Sequence, residues 1–280
     1  MKPGAAWSLA AAVAALLAVA TVVVATRGDH RPAASALAGT APAPASAPAP
    51  ATPVTPSAPP TPGTTRTVVI DPGHNGQNWR HTAEIGRIIT VPTGQKPCDT
   101  TGTTSTSGYT ESAYNLDVAQ RVAPVLSGRG VRVLLTRTDD AGWGPCIDQR
   151  VDLANGAGAD AVVSIHADGW PAGRGFYILY AAPAPGTAAV NDPLAQANRR
   201  LAVAVRHAIA RETSMPTSTY GGQDGLKTVP WPTLYHVPEV LVETANMRSP
   251  TDAALLDDPA FRARMAAALA DGVSAFLAGR

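Results

Sequence analysis

The chain has 280 residues, and its 22 Lys and Arg against 21 Asp and Glu leave a formal net charge of +1. Such a balance provides no large basic surface for a phosphate backbone, so we exclude a nucleic-acid partner. The composition changes twice along the chain, and these changes define three segments.

The first segment, residues 1–28, contains an apolar run from Ala5 to Ala25 whose only polar side chains are Ser8 and Thr21. A helix of that length, at about 1.5 Å per residue, approximately crosses the core of a bilayer. The run predicts a signal peptide or an N-terminal membrane anchor, with a buried Ala-rich core helix as the alternative. We therefore expect an exported protein, in the cell wall, in a periplasm-like space or secreted.

Residues 29–66 are rich in Ala, Pro, Thr and Ser and contain almost no large apolar side chain. Such a composition cannot bury enough surface to offset the entropy of ordering, and its prolines favour extended conformations. We predict a disordered linker. We expect residues 67–280 to form a single domain, which is long enough to bury a core of its own.

In this third segment, strand-like apolar runs alternate with amphipathic helical patterns. We predict strands at 67–71, 131–136, 161–166, 175–180 and 240–243, and helices at 111–127, 148–156, 193–212 and 259–278. Alternation of this kind indicates an α/β fold with a mostly parallel, twisted sheet and helices on both faces.

Two histidines and two glutamates stand at informative places in this pattern. His74, His166 and Glu243 lie at or just after the ends of apolar runs, and Glu111 opens a helix behind the N-cap residue Thr110. The carboxyl ends of the strands of an open α/β sheet share one edge, so these side chains can meet around one cation. A glutamate in a first helical turn can also serve the helix dipole alone, and this alternative stays open for Glu111.

A catalytic zinc ion usually takes three protein ligands and keeps one position for water. We predict His74, Glu111 and His166 as ligands of Zn²⁺. Glu243 would then be the general base, which later gives the proton to the departing amine. This set of residues predicts the hydrolysis of an amide.

Cys98 and Cys146 are the only two cysteines. In an oxidising compartment such a pair is more often bridged than free, so we expect a disulfide. The alternative is a cysteine nucleophile activated by a histidine.

Several motifs resemble those of one family, and they stand in that family's order. They are Ile70-Asp71-Pro72-Gly73-His74-Asn75-Gly76, Thr110-Glu111, Leu135-Thr136-Arg137, Ser164-Ile165-His166-Ala167-Asp168 and Leu241-Val242-Glu243. They resemble the zinc-dependent N-acetylmuramoyl-L-alanine amidases of the amidase_3 type, over residues 67–277. The string Gly221-Gly222-Gln223-Asp224-Gly225-Leu226, together with the paired cysteines, is most similar to small mycobacterial and actinobacterial members. Asn75 departs from the commoner family motif, which has a second glycine there.

The resemblance implies zinc on His74, Glu111 and His166, and Glu243 as the catalytic carboxylate. It also implies peptidoglycan as the substrate, cleaved between N-acetylmuramic acid and the L-alanine of the stem peptide. We expect a monomer. Two alternatives remain, an exported zinc peptidase that cuts within the stem peptide and a non-catalytic peptidoglycan-binding module. Asp71 and Asp168 are candidates for orienting the zinc histidines, although each is also an ordinary turn residue.

Overall fold

The computed structural model describes residues 65–218 and 220–279, with only the backbone at Ala188. These residues belong to one compact unit, Pro59–Arg280. The segment 1–28 and nearly all of the segment 29–66 lie outside the described residues, so the export segment and the linker remain predictions. Within the described ranges, every helix is too short or too polar to cross a bilayer.

The described part of the chain contains eight strands, six α-helices and two short 3-10 helices, Asn78–Arg80 and Ala188–Asn191. The strands are β1 Thr67–Pro72, β2 Ile88–Val91, β3 Gly94–Pro97, β4 Arg132–Leu135, β5 Ala161–Asp168, β6 Tyr177–Ala181, β7 Leu226–Val229 and β8 Glu239–Asn246. The helices are α1 Thr82–Ile85, α2 Glu111–Ser127, α3 Ile147–Gly156, α4 Pro193–Glu212, α5 Pro250–Asp257 and α6 Pro259–Ala278. All the predicted strands and helices are present, and α2, α4 and α6 begin and end at the predicted residues.

Six of the strands form one sheet in the order β4-β1-β5-β8-β6-β7. Neighbouring strands run parallel, except that β6 runs antiparallel to β8. The prediction of a mostly parallel sheet is therefore confirmed. The central strands β1, β5 and β8 run parallel to one another, so their carboxyl ends lie at the same edge of the sheet.

Alternate residues of β1 supply two different cores. Val68 and Ile70 are fully buried with side chains of α2, α4 and α6, whereas Val69 packs with Ala154 of α3 on the opposite face. Each fully buried Val or Ile stabilises the fold by about 1.5–3 kcal/mol. Because a strand alternates its side chains, both faces of the sheet are covered by helices, as the sequence predicted.

The segment between β1 and α2, for which the sequence predicted no helix or strand, contains regular structure. It holds helix α1 and an antiparallel hairpin of β2 and β3. Cys98, directly after the hairpin, forms the predicted disulfide with Cys146, with their Cα atoms 4.6 Å apart. The alternative of a cysteine nucleophile is wrong, because neither sulfur is a free thiol. On the chain-entropy model, closing this loop stabilises the fold by roughly 4 kcal/mol.

Candidate metal centre

His74 lies in the turn that follows β1 and has a left-handed backbone with φ of 59°. The residue before it must be a glycine, because a Cβ at Gly73 would lie 2.1 Å from Cε1 of His166. The same glycine donates its backbone N–H to the carbonyl of Ile165, 3.0 Å away. This contact holds the two histidine-bearing strand ends together.

Glu111 is fixed in the first turn of α2. Thr110 caps this helix through its side chain, which accepts from the N–H of Ala113, as the sequence predicted. The carboxylate of Glu111 is buried, and it accepts from the backbone of Thr103 at 2.9 Å and of Ala167 at 3.2 Å. A residue that served only the helix dipole would not need these long-range contacts.

The three predicted ligands meet at one point. Oε1 of Glu111 lies 3.2 Å from Nε2 of His74 and 3.0 Å from Nδ1 of His166. One nitrogen or oxygen from each of the three side chains lies within 4.8 Å of the others. The two imidazole rings stand nearly perpendicular, with centroids 4.8 Å apart.

This cluster has a negative potential that favours a cation. Burial lowers the pKa of His74, but the carboxylates of Glu111 and Asp99 outweigh burial and raise it to about 10. Burial raises the pKa of Glu111, but the imidazoles of His74 and His166 hold it well below its usual range. The site therefore stabilises positive charge between its carboxylates.

Glu243 lies beside the cluster on the neighbouring strand. In the sheet it pairs in register with His166 on one side and with Tyr177 on the other. Its Oε2 is buried, and no group in the described ranges makes a hydrogen bond to it. Burial, together with repulsion from Glu111 and Asp168, raises the pKa of Glu243 well above its usual range. A buried oxygen without a partner is poised to interact with a bound molecule.

Asp99 is the site residue that the sequence did not indicate. Nδ1 of His74 lies 3.2 Å from Oδ1 of Asp99 and 3.1 Å from the carbonyl of Thr100. These acceptors fix the proton on Nδ1 and leave Nε2 free to bind a metal. The two cysteine positions were the one signal in the sequence, because the disulfide immediately precedes Asp99.

The two aspartates proposed to orient the histidines do not contact them. The carboxylate of Asp71 instead accepts from Arg150 and Ser164 at 2.7 Å and from Thr136 at 2.5 Å. Burial raises the pKa of Asp71, but Arg150 and the two hydroxyls lower it to about 2. The prediction fails because the side chain of Asp71 points along the sheet face towards α3.

Asp168 accepts from the hydroxyl of Tyr177 at 2.9 Å. Because Tyr177 pairs with Glu243 in the sheet, Asp168 acts on the electrostatics of Glu243 and has no hydrogen bond to either histidine in the described ranges. Asp168 therefore belongs to the surroundings of Glu243, and the predicted role in orienting a histidine is wrong for this residue as well.

The donor set fits a divalent transition metal. Two imidazoles and one carboxylate form the His2Glu set found in catalytic zinc sites. The outer contacts from Asp99 to His74 and from backbone N–H groups to Glu111 are of the kind that orient metal ligands. The negative potential and the unpartnered oxygen of Glu243 agree with a cation and a polar reactant at this place.

Comparison with known proteins gives the family. The model of the Amidase_3 family, described as N-acetylmuramoyl-L-alanine amidase, matches residues 68–275. The chain is 40% identical over 218 residues to the N-acetylmuramoyl-L-alanine amidase Rv3717 of Mycobacterium tuberculosis, covering 75% of this chain and 86% of that protein. It is 29% identical over 246 residues to AmiA of Escherichia coli, also named N-acetylmuramoyl-L-alanine amidase, covering 76% of this chain and 77% of that protein.

A solved structure agrees with these relatives. The crystal structure of Ami1, the N-acetylmuramyl-L-alanine amidase of Mycobacterium smegmatis, is similar with a TM-score of 0.67 and 38% identity. The match covers 77% of this chain and 98% of that structure. The resemblance noted in the sequence is thus confirmed over residues 68–275, and the chain belongs to the Amidase_3 family of N-acetylmuramoyl-L-alanine amidases.

Proposed function

We propose that this chain hydrolyses the amide bond between N-acetylmuramic acid and L-alanine of peptidoglycan, with Zn²⁺ bound by His74, Glu111 and His166 and with Glu243 as the general base. The observation that carries the proposal is the contact of one Glu111 oxygen with nitrogens of both histidines, at 3.2 and 3.0 Å. Family membership supports the reaction, and the geometry supports these residues as its machinery.

A zinc ion held by the three side chains would supply Lewis acidity towards the scissile carbonyl and the attacking water, and its charge would counteract the repulsion of Glu243 by Glu111 and Asp168. Asp99 holds the ring of His74, and the backbone N–H groups of Thr103 and Ala167 hold Glu111. Because these contacts exist before substrate arrives, the ligands need little reorganisation.

Glu243 carries the proton through the reaction. As the water oxygen bonds to the lactyl carbonyl carbon, Glu243 takes one proton from that water. When the bond between this carbon and the nitrogen of L-alanine breaks, Glu243 gives the proton to the nitrogen. The products are a free carboxyl group on the muramic acid and a free amino group on the peptide. The buried Oε2 of Glu243, which has no hydrogen-bond partner in the described part of the chain, supports this role.

Two other functions are less well supported. An exported zinc peptidase would cut within the stem peptide, and a binding module would release nothing. Mass spectrometry of digested muropeptides separates the three. Release of intact stem peptide from muramic acid supports the amidase, shortened peptides that remain on glycan support the peptidase, and unchanged muropeptides support the module. Activity should disappear with a chelator and return with zinc.

The cellular setting completes the proposal. We infer that residues 1–28 export the chain or anchor it to a membrane, that residues 29–66 act as a spacer, and that residues 67–280 act as a monomeric catalytic domain. The apolar run from Ala5 to Ala25 and the Pro-rich composition after it support this arrangement. Fractionation of cells that express the full chain tests it, since an anchored protein stays with the membrane and a cleaved one reaches the wall or medium.

A further inference from the structure

A cavity of about 600 Å³ extends from the metal centre along the face of the sheet that α3 covers. His74 and His166 line it near the centre, and Glu239 and Lys96 also line it. Glu239 begins β8, four residues before Glu243. Residues four apart on a strand share a face and lie roughly 13 Å apart, so Glu239 marks a distant part of the same face.

Glu239 and Lys96 carry opposite charges that nothing in the described ranges pairs. Neither the carboxylate of Glu239 nor the ammonium of Lys96 takes part in a hydrogen bond or a close ion pair there. Burial raises the pKa of Glu239 to about 7, and Lys96, from strand β3 of the hairpin, acts in the opposite direction. The two groups line the same cavity and make no direct contact with each other.

A partly desolvated carboxylate and an ammonium that line one cavity without pairing are suited to a ligand that carries both complementary charges. A substrate ammonium would relieve the burial of Glu239, and a neighbouring substrate carboxylate would face Lys96. A side chain that ends in a free amino-acid group offers this pair of charges. Diamino dicarboxylic acids have such side chains.

The distance between Glu239 and Glu243 indicates which residue of the stem peptide can reach Glu239. Glu243 acts at the nitrogen of L-alanine, the first residue of the stem peptide. Two residues of extended peptide cover about 7 Å, and a long side chain on the third residue covers much of the remaining distance. The third residue of the stem is therefore the one that reaches Glu239.

Resting on the proposed function, we infer that Glu239 and Lys96 form a subsite that recognises the zwitterionic side-chain end of a diamino dicarboxylic acid at the third position of the stem peptide. Glu239 binds the ammonium group of this side chain, and Lys96 binds its carboxylate. The pair determines specificity and takes no part in the chemical step.

Three synthetic N-acetylmuramoyl tripeptides test the inference. Their third residue is meso-diaminopimelic acid, lysine or norleucine, which offers both charges, the ammonium alone or neither. For the wild-type protein loaded with zinc, we expect kcat/KM to fall about tenfold at each step of this series, because each step removes one charge-assisted contact. Equal values for all three substrates would overturn the subsite. No cleavage of any of them would instead overturn the proposed function.

Variants assign the two contacts. In Glu239→Gln, the kcat/KM of the lysine substrate divided by that of the norleucine substrate should fall towards one. In Lys96→Gln, the kcat/KM of the diaminopimelate substrate divided by that of the lysine substrate should fall towards one. Ratios are taken within each variant, so a general loss of activity cancels. Glu212→Gln and Arg200→Gln on α4 are matched controls that should keep the wild-type ratios. Lys96 lies on an exposed strand, so its variant decides the matter if Glu239→Gln does not fold. Wild-type ratios in both site variants would contradict the assignment.

Discussion

At the scale of single residues, the site depends on carboxylates in different surroundings. Glu111 is held as an anion by two imidazoles and two backbone N–H groups. Glu243 has no comparable partner among the residues that the structure describes, and burial and like charges raise its pKa. Two neighbouring carboxyl groups whose pKa values are shifted in opposite directions are typical of sites in which one group stays charged and the other transfers a proton.

Replacement of Glu243 by glutamine should lower kcat by roughly 100-fold to 10,000-fold, because an amide cannot take the proton of the attacking water. Zinc content should be unchanged, since Glu243 is not among the three clustered ligand side chains. Steady-state kinetics on muramoyl peptides and elemental analysis of the purified protein measure the two effects. Undiminished activity would show that another group is the base.

Replacement of Asp99 by asparagine should weaken zinc binding by roughly 10-fold to 100-fold, because Nδ1 of His74 loses its carboxylate partner. Competition with a chromophoric chelator measures the dissociation constant. Asp148→Asn is the control. The carboxylate of Asp148 lies 3.3 Å from the guanidinium of Arg87 and makes no contact with His74 in the described ranges. Equal zinc affinity in the two variants would remove Asp99 from the metal centre.

At the scale of elements, buried arginines hold the segments that carry His74 and Glu111, two of the proposed ligands. Arg150 of α3 donates to Asp71 at the end of β1 and to the carbonyl of His74 at 3.1 Å. Arg137, after β4, donates to the carbonyls of Gly73 and Ser112 at 3.1 and 2.7 Å. These contacts join β1, α2, α3 and the turn with His74 into one unit.

The ion pair between Asp71 of β1 and Arg150 of α3 should make the stability of the fold fall at acid pH. The pKa of Asp71 is lowered from 3.8 to about 2 in the folded chain. Its charged form therefore contributes about 2 kcal/mol of stability above pH 4, and this contribution is lost as the pH falls towards 2. Urea unfolding of wild type and Asp71→Asn between pH 5 and pH 2 measures the difference. The difference in unfolding free energy between wild type and Asp71→Asn should become smaller as the pH falls. A difference that stays constant would refute the assignment.

At the scale of the whole molecule, the proposed metal ligands come from the ends of β1 and β5 and from the start of α2. A cation that binds only when these ends meet stabilises the entire fold by mass action. Zinc at 100 times its dissociation constant contributes about 2.7 kcal/mol, which raises the melting temperature by roughly 5–10 °C in a domain of this size. Calorimetry with and without zinc measures the shift. His74→Ala should show a much smaller one, and an equal shift in that variant would place the stabilising ion elsewhere.

The sequence predicted much of the site because the ligands follow from local patterns. His74, His166 and Glu243 each lie at or near the end of an apolar run, and Thr110 marks the start of α2. The strand ends are less well predicted, since β5 continues to Asp168 and β8 to Asn246. The hairpin of β2 and β3 was missed, because its polar side chains carry no apolar alternation and are held in place by the disulfide and a small cluster around Ile85.

The sequence alone determined the class of fold, the positions of the main strands and helices, and the four residues that we assign to the metal and the base. Periodicity and capping are local properties, so they can be read from neighbouring residues. Only the tertiary structure decided that Asp99 holds His74, that Asp71 binds Arg150, and that Glu239 and Lys96 face one cavity. These partners are far apart along the chain, and the packing of separate elements brings them together.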